Sequence, residues 1–448
     1  MNAPAVESAV APDEPSQRRA WLGRASWALL DQGLFSASNF LLQIFLARYL
    51  IGGESAYGAF SVAFTWFLLV GTFHTSLLVE PMLVFGPSKF AQRLGSYLGV
   101  LAAGNFMLSA VGAVFMSMVG VIYWITAHED IAIACWSLAG ASPFIFFLWL
   151  MRRACYVRLS PKVAAIVGIG YMALMVGGLG AMYLTDLIST VKAMIVMGVS
   201  CLIAATVLAI KERVRWEGLD SPIFTETTLR HLRFGRWAAA SGLVMFIPGQ
   251  VYYWLLPLFV DVGEAGVLRA MNNIFLPVIM ANAALVGLIL PGLVRSLGTP
   301  HFRKVLSIAL LVLAGGPTLL WLICGLFNYE IMHFLYAGRY DKDSHLLWLL
   351  GLSPMLMGAM SVYQAVLNAH NRPDRVFFAS AAGAVVTMTL GIWLTAAFGL
   401  TGVCAAYIVS SLIMLIVTRH FARRMPATPP PEEPERVADL AAAAADGN

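Results

Sequence analysis

Long apolar runs, separated by short polar intervals, make up most of the chain. Runs of about 20 residues fit helices that cross a ~30 Å hydrocarbon core, whereas the ten-residue alternation of a membrane β-barrel is absent. The pattern therefore predicts an all-α integral membrane protein with twelve transmembrane helices. Their predicted positions are 26–50, 57–84, 95–124, 131–151, 163–185, 190–210, 237–260, 265–291, 304–327, 344–368, 375–397 and 400–421.

The longest polar interval between these helices, residues 211–236, divides them into two groups of six. The two ends of the chain are biased in composition, and the N-terminal one lacks the apolar core of a cleavable signal peptide. The predicted organisation is a disordered cytoplasmic tail (1–20), an N-lobe with helices one to six (21–210), a cytoplasmic linker (211–236), a C-lobe with helices seven to twelve (237–424) and a second disordered cytoplasmic tail (425–448).

Basic residues orient the predicted helices. The linker contains Lys211, Arg213, Arg215, Arg230, Arg233 and Arg236. Lysine and arginine concentrate in cytoplasmic loops, so this interval should face the cytoplasm. The opposite side of the predicted membrane has only Arg48, Lys192, Arg269, Arg339 and Lys342. Both termini are therefore predicted to be cytoplasmic.

Composition excludes several classes of protein. With 59% hydrophobic and 12% charged residues, the chain has about half the charge of a soluble domain. Its basic residues are scattered at helix ends, which favours contact with anionic lipid over nucleic acid. The five cysteines show no paired spacing, and no nucleotide-binding or zinc-binding motif occurs. No cofactor, metal site or catalytic residue is predicted.

Polar side chains form stripes on the first two predicted helices. In the first helix, Gln32, Ser36, Asn39 and Gln43 recur every three or four residues and share one face. The second helix has a similar stripe, formed by Ser61, Thr65, Thr72, Ser76 and Glu80. Polar groups are costly in lipid, so both faces should line a cavity or another helix.

The seventh and eighth predicted helices carry the corresponding features of the second half. Pro248, Gly249 and Gln250 interrupt the seventh helix and predict a kink whose freed backbone groups need partners. The eighth helix has Arg269 and Asn273 about one turn apart, with Asn272 beside them. An ionisable residue inside a predicted span is a candidate functional residue.

Several segments resemble the polysaccharide-transport branch of the multidrug/oligosaccharidyl-lipid/polysaccharide exporter superfamily, which includes lipid-linked oligosaccharide flippases. They are LARYLIGGESAYGAFSVAF, EPMLVFG, LMRRACYVRLSP, FGRWAAASGLV and GVLRAMNNIFLP, and the resemblance covers residues 20–424. It implies two six-helix lobes around a central lumen lined by helices one, two, seven and eight. It also implies alternating access across a bacterial inner membrane. The lipid-II flippase branch typically has two additional helices, for which this chain shows no sequence.

The resemblance implies a polyprenyl-pyrophosphate-linked oligosaccharide as substrate, with membrane lipids, a coupling H⁺ or Na⁺ and polysaccharide polymerase machinery as further partners. The predicted substrate-binding residues are Arg269, Asn272, Asn273, Gln32, Asn39, Gln43, Gln250 and Arg48. Arg269 could attract a pyrophosphate or pair with Asp261 or Glu264. Arg48 lies near a helix end, where its side chain could reach the membrane surface without a special function. The amide stripe could contact sugar hydroxyls or bond to neighbouring helices.

Two carboxylates are candidates for ion coupling, because a partly desolvated acid can change its charge during a transport cycle. Glu80 is the first candidate, although it could instead pair with Lys89 or Arg93. Asp31 is the second.

Two other functions remain open. A membrane polymerase or ligase for the same glycans would be equally hydrophobic, but the outer loops are too short for the polar external region that such enzymes use. A cation-coupled multidrug antiporter of the same superfamily would share the twelve-helix plan. The basic Arg269 favours an anionic substrate over cationic drugs, and a transporter is favoured over an enzyme.

Overall fold

The computed structural model describes residues 14–218, 220–370 and 372–425. These residues form helices joined by short turns, and no strand occurs among them. The predicted all-α membrane class is therefore confirmed. The predicted C-terminal tail lies outside the described residues except for Met425, and so does the N-terminal tail as far as residue 13.

The described residues of the first half of the chain form seven α-helices. They are α1 (Glu14–Tyr49), α2 (Gly53–His74), α3 (Glu80–Ser88), α4 (Leu94–Ile125), α5 (Glu129–Val157), α6 (Pro161–Leu184) and α7 (Thr190–Lys211). A π-helical turn, Thr75–Val79, joins α2 to α3, so these three elements form one continuous span.

The second half contains nine α-helices among the described residues. They are α8 (Pro222–Gln250), α9 (Tyr252–Phe259), α10 (Val262–Ser296), α11 (Phe302–Leu326), α12 (Asn328–Tyr336), α13 (Leu347–Leu350), α14 (Leu352–Ala369), α15 (Pro373–Val386) and α16 (Ile392–Arg423). A second π-helical turn, Thr387–Gly391, joins α15 to α16.

Each of the twelve predicted spans has a helical counterpart. Within the described ranges, nine helices are long and apolar enough to cross a membrane, and the pair α8 and α9, bent by 45°, adds a tenth. One of the nine, Pro373–Arg423, contains two predicted spans and is interrupted between them at Gly399 (φ 56°, ψ −135°). The remaining predicted span corresponds to α1. This helix is not among the apolar spans, because its amide and charged side chains lower its mean hydropathy.

Two predicted boundaries differ from the structure. Helix α1 begins at Glu14, inside the predicted N-terminal tail, and α8 begins at Pro222, inside the predicted linker. In both helices a proline stands in the first turn, where its missing N–H costs no hydrogen bond. Polar residues can continue a helix as well as apolar ones, so a change from apolar to polar sequence did not mark the start of either helix. The division into lobes 21–210 and 237–424 remains a prediction.

Residue contacts divide the chain into two units. Of the described residues, the first unit contains those up to Leu42 together with Phe73–Val119 and Trp136–Ala238. The second contains Gln43–Thr72, Gly120–Cys135 and the described residues from Ala239 onwards. The end of α1 and nearly all of α2 therefore belong to the same unit as α9 and α10.

Candidate functional site

The backbones of α2 and α10 come into direct contact within the second unit. A side chain at Gly58 would collide with the carbonyl oxygen of Val262. A Cβ at Gly266 would lie 2.8 Å from the carbonyl oxygen of Glu54 and from the amide nitrogen of Gly58. Both positions require glycine, because helices in membranes can approach this closely only through small residues.

Arg269 extends from α10 to α2 within the same unit. Its Nη2 donates hydrogen bonds to Thr65 Oγ1 at 2.8 Å and to the carbonyl oxygen of Ser61 at 3.2 Å. The guanidinium carbon lies 3.6 Å from the ring centre of Tyr253, and only 7% of the residue is exposed. A cation–π contact of this kind is stronger where the charge is desolvated.

No carboxylate neutralises Arg269 within the described part of the chain. The two acids considered as partners, Asp261 and Glu264, form no ion pair with it there. Its Nε is buried and lacks a hydrogen-bond partner among the described residues. The site therefore keeps a positive charge and a spare donor, which are the properties that bind a phosphate group.

A chain of amide and phenol groups occupies the same helices. The Asn273 side-chain amide donates to Tyr57 Oη at 2.9 Å, and Tyr57 in turn donates to Gln43 Oε1 at 2.9 Å. Asn272 Nδ2 donates to Tyr253 Oη, also at 2.9 Å. Four of the predicted substrate-binding residues thus share this unit and its hydrogen-bonded groups: Gln43, Arg269, Asn272 and Asn273.

Arg48 has a different environment in the second unit. Its Nη1 donates to the carbonyl oxygen of Phe334 at 2.7 Å, near the end of α12. Arg339 donates similarly to the carbonyl oxygen of Leu50 at 2.8 Å, just beyond α1. Both arginines therefore satisfy carbonyl groups at the C-terminal end of a helix, where cations are stabilising.

The predicted kink is present, three residues beyond its proline. Helix α8 continues through Pro248 to Gln250, and the 45° bend follows at Val251. Tyr407 donates to the carbonyl oxygen of Gly249 at 2.7 Å and so satisfies a backbone group beside the bend. Among the residues that the structure describes, the buried Oε1 of Gln250 has no hydrogen-bond partner.

The first unit contains the amides at the start of the predicted stripe. Gln32 Nε2 donates to Ser36 Oγ at 3.4 Å, and Asn39 Nδ2 donates to the carbonyl oxygen of Phe35 at 3.0 Å. Both bonds run along α1 itself. Both residues are half-buried.

Asp31 is fully buried in the first unit and is held by two partners. Arg152 donates to its carboxylate from Nε at 3.1 Å and from Nη2 at 2.8 Å. Tyr156 Oη donates to the same carboxylate at 2.7 Å. The bidentate geometry makes this a strong ion pair.

Glu80, unlike Asp31, is not enclosed by other side chains. It is exposed at the start of α3 and forms no ion pair within the described ranges. One partner considered for it, Arg93, instead lies 3.7 Å from Glu226. Of the two predicted coupling residues, Glu80 is thus the one without a cationic partner among the described residues.

Two tyrosines that contact the predicted residues were missed by the sequence analysis. Tyr57 links Gln43 to Asn273, and Tyr253 contacts both Arg269 and Asn272. The signal for Tyr57 was its spacing, because it stands four residues before Ser61 on the polar face of α2. Tyr253 stands just after the kink, and nothing in its spacing indicated a contact with an arginine sixteen residues later.

No family model matches the chain, and no curated protein matches it in sequence. Solved structures do match it. An inward-facing multidrug resistance MATE family transporter of the MOP superfamily aligns with a TM-score of 0.69 at 13% identity, covering 88% of this chain and 97% of that one. The lipid II flippase MurJ, in an inward closed conformation, aligns with a TM-score of 0.69 at 14% identity, covering 90% and 88%.

A MOP superfamily transporter from Pyrococcus furiosus aligns with a TM-score of 0.67 at 12% identity, covering 90% of this chain and 94% of that one. At these identities the common property is the fold. The chain therefore has the fold of MOP superfamily transporters, as the sequence resemblance implied.

Proposed function

We propose that this protein is a flippase that moves a polyprenyl-pyrophosphate-linked oligosaccharide from the cytoplasmic to the outer leaflet of a bacterial inner membrane, for exopolysaccharide or O-antigen synthesis. The observation that carries the proposal is the buried Arg269 without a carboxylate partner among the described residues. A buried cation is costly unless a partner compensates it. An anionic headgroup supplies that partner, whereas a cationic drug would add to the cost.

The glycan part of such a substrate needs hydrogen bonds inside the membrane. Each unpaired hydroxyl costs several kcal/mol on transfer to an apolar environment. Gln43, Asn272 and Asn273 carry amides that bond to tyrosine hydroxyls, and Gln250 has an unoccupied amide oxygen in the described chain. These groups are donors and acceptors of the kind that can replace water around a sugar.

Deletion of the gene, followed by analysis of lipid-linked sugars in each leaflet, tests the proposal. A flippase predicts completed single repeat units that accumulate on the cytoplasmic leaflet. Units that reach the outer leaflet but remain unjoined would instead identify a polymerase. Unchanged glycans together with altered drug sensitivity would identify an antiporter.

The proposed topology has both termini in the cytoplasm. Reporter domains fused after Ala127 and Leu187 are expected on the outer side, and reporters fused after Gln92 and Glu217 on the cytoplasmic side. The basis is the concentration of basic residues in the intervals that contain the second pair of sites. An outer-side signal after Glu217 would reverse the orientation of the whole chain.

We expect transport to depend on an ion gradient, with Glu80 as the first coupling residue and Asp31 as the second. An ion can drive transport only if it binds one conformation better than the other. The Glu80→Gln variant should therefore lose the dependence of flux in vesicles on the proton or sodium gradient. Glu226→Gln, at a half-buried acid of the same unit that pairs with Arg230, is the matched control. Wild-type flux that persists after both gradients are collapsed would exclude coupling.

A further inference from the structure

A cavity of about 150 Å³ lies entirely within the first unit. Its walls come from α1, from the π-helical turn between α2 and α3, and from α5. The lining residues are Gln32, Phe35, Thr75, Val79, Trp149, Arg152 and Arg153. The volume is about five times the share of one water molecule in the liquid, which suits a small charged group better than a sugar repeat unit.

The lining carries an excess of positive charge. Arg152 is neutralised by Asp31, which it contacts through Nε and Nη2. Arg153 has no ion pair and no hydrogen bond within the described residues, and its guanidinium carbon lies 5.8 Å from the ring centre of Tyr156. Glu80, one residue beyond the cavity wall, pairs with neither arginine in that part of the chain. One arginine charge therefore remains uncompensated at the cavity.

A free hydroxyl adds a second donor. The hydroxyls of Ser61, Thr65 and Thr72 on α2 each donate to the carbonyl oxygen four residues earlier. Thr75 opens the π-helical turn, and its half-buried hydroxyl has no hydrogen-bond partner among the described residues. Short π-helical segments frequently occur at functional sites, since they change the direction in which side chains project.

We propose that this cavity is a binding site for a membrane-anchored phosphate group, held by the Arg153 guanidinium and the Thr75 hydroxyl, with Arg152 fixed in place by Asp31. The planar fork of an arginine matches the oxygens of phosphate, and a hydroxyl can donate one further hydrogen bond. The assignment of this phosphate group to the transported substrate rests on the proposed function. The same chemistry is found in an ordinary anionic phospholipid.

Saturation binding of a labelled lipid to the purified full-length protein in nanodiscs tests this site. One set of phosphatidylcholine nanodiscs contains labelled undecaprenyl pyrophosphate, and a second contains labelled phosphatidylglycerol. The assay is run on Arg153→Gln, Thr75→Val and the control Arg233→Gln, which removes an exposed arginine of the same unit outside the cavity. Each variant is also prepared with Arg269→Ala, so that the other cationic site does not contribute.

Loss of a charge-assisted hydrogen bond predicts that Arg153→Gln weakens binding by about tenfold or more, and loss of a neutral one predicts about threefold for Thr75→Val. Weakening of pyrophosphate binding alone identifies the substrate headgroup, and equal weakening for both lipids identifies bulk phospholipid. Binding of both lipids by Arg153→Gln and Thr75→Val as tightly as by Arg233→Gln would overturn the site. The gene-deletion result is independent of this assay, so failure of one proposal is distinguishable from failure of the other.

Discussion

Replacing Arg269 with alanine is expected to reduce transport by about tenfold to a hundredfold, the range given by loss of one charge-assisted hydrogen bond. The folded protein should nevertheless remain close to wild type in stability. Removing one member of a buried ion pair strands the opposite charge, but Arg269 has no carboxylate partner among the described residues. Flux of lipid-linked sugar in vesicles and thermal unfolding in detergent measure the two effects separately.

Arg269→Lys distinguishes charge from geometry at the same position. A lysine keeps the charge but lacks the planar fork, so it should restore part of the flux if attraction alone matters and little if two parallel hydrogen bonds are needed. Normal flux in Arg269→Ala, at wild-type expression, would remove this residue from the substrate site.

Replacing Arg152 with alanine is expected to lower the stability of the folded protein more than it lowers transport. Asp31 has a fully buried side chain and Arg152 has one that is 11% exposed, so the variant leaves a carboxylate uncompensated inside the protein. Breaking a buried pair in this way costs about 3–5 kcal/mol. The unfolding transition in detergent should therefore shift to markedly lower denaturant concentration than that of the wild type.

The double variant Asp31→Asn/Arg152→Gln shows whether the stability lost in Arg152→Ala comes from the uncompensated charge of Asp31 or from the lost packing of the side chain. Removing both charges together should recover most of the lost stability, because no ion is then left without a partner. If the double variant is as unstable as Arg152→Ala, packing rather than charge explains the loss. If it is stable and still transports in a gradient-dependent manner, Asp31 is not the coupling residue.

Features that depend on spacing along one helix were predictable from the sequence. The interval of four residues between Arg269 and Asn273 placed both side chains on one face of α10, and both now contact α2. The break between the last two spans was also predictable. Gly399 adopts a positive φ there, which glycine does at little cost.

Features that depend on contacts between helices were not predictable. The sequence offered Asp261 and Glu264 as partners for Arg269, because they are nearby in the chain, whereas the structure provides Thr65 and Tyr253. The end of one helix was missed for a different reason. Leu159 follows α5 in the left-handed conformation without being glycine, so composition gave no stop signal there, and α5 ends at Val157 rather than at the predicted residue 151.

The crossing of α2 and α10 at Gly58 and Gly266 determines how easily these helices could separate. Neither glycine has a side chain that would have to change rotamer if the helices separated at this point. The free-energy difference between the joined and separated states then includes the surrounding polar bonds, such as that from Arg269 to Thr65 and that from Asn273 to Tyr57. Distances between spin labels on the two helices, with and without lipid-linked sugar, would measure the equilibrium. Because a sugar hydroxyl or phosphate can form the same hydrogen bonds, the substrate itself would be a competitor for the contacts that hold the two helices together.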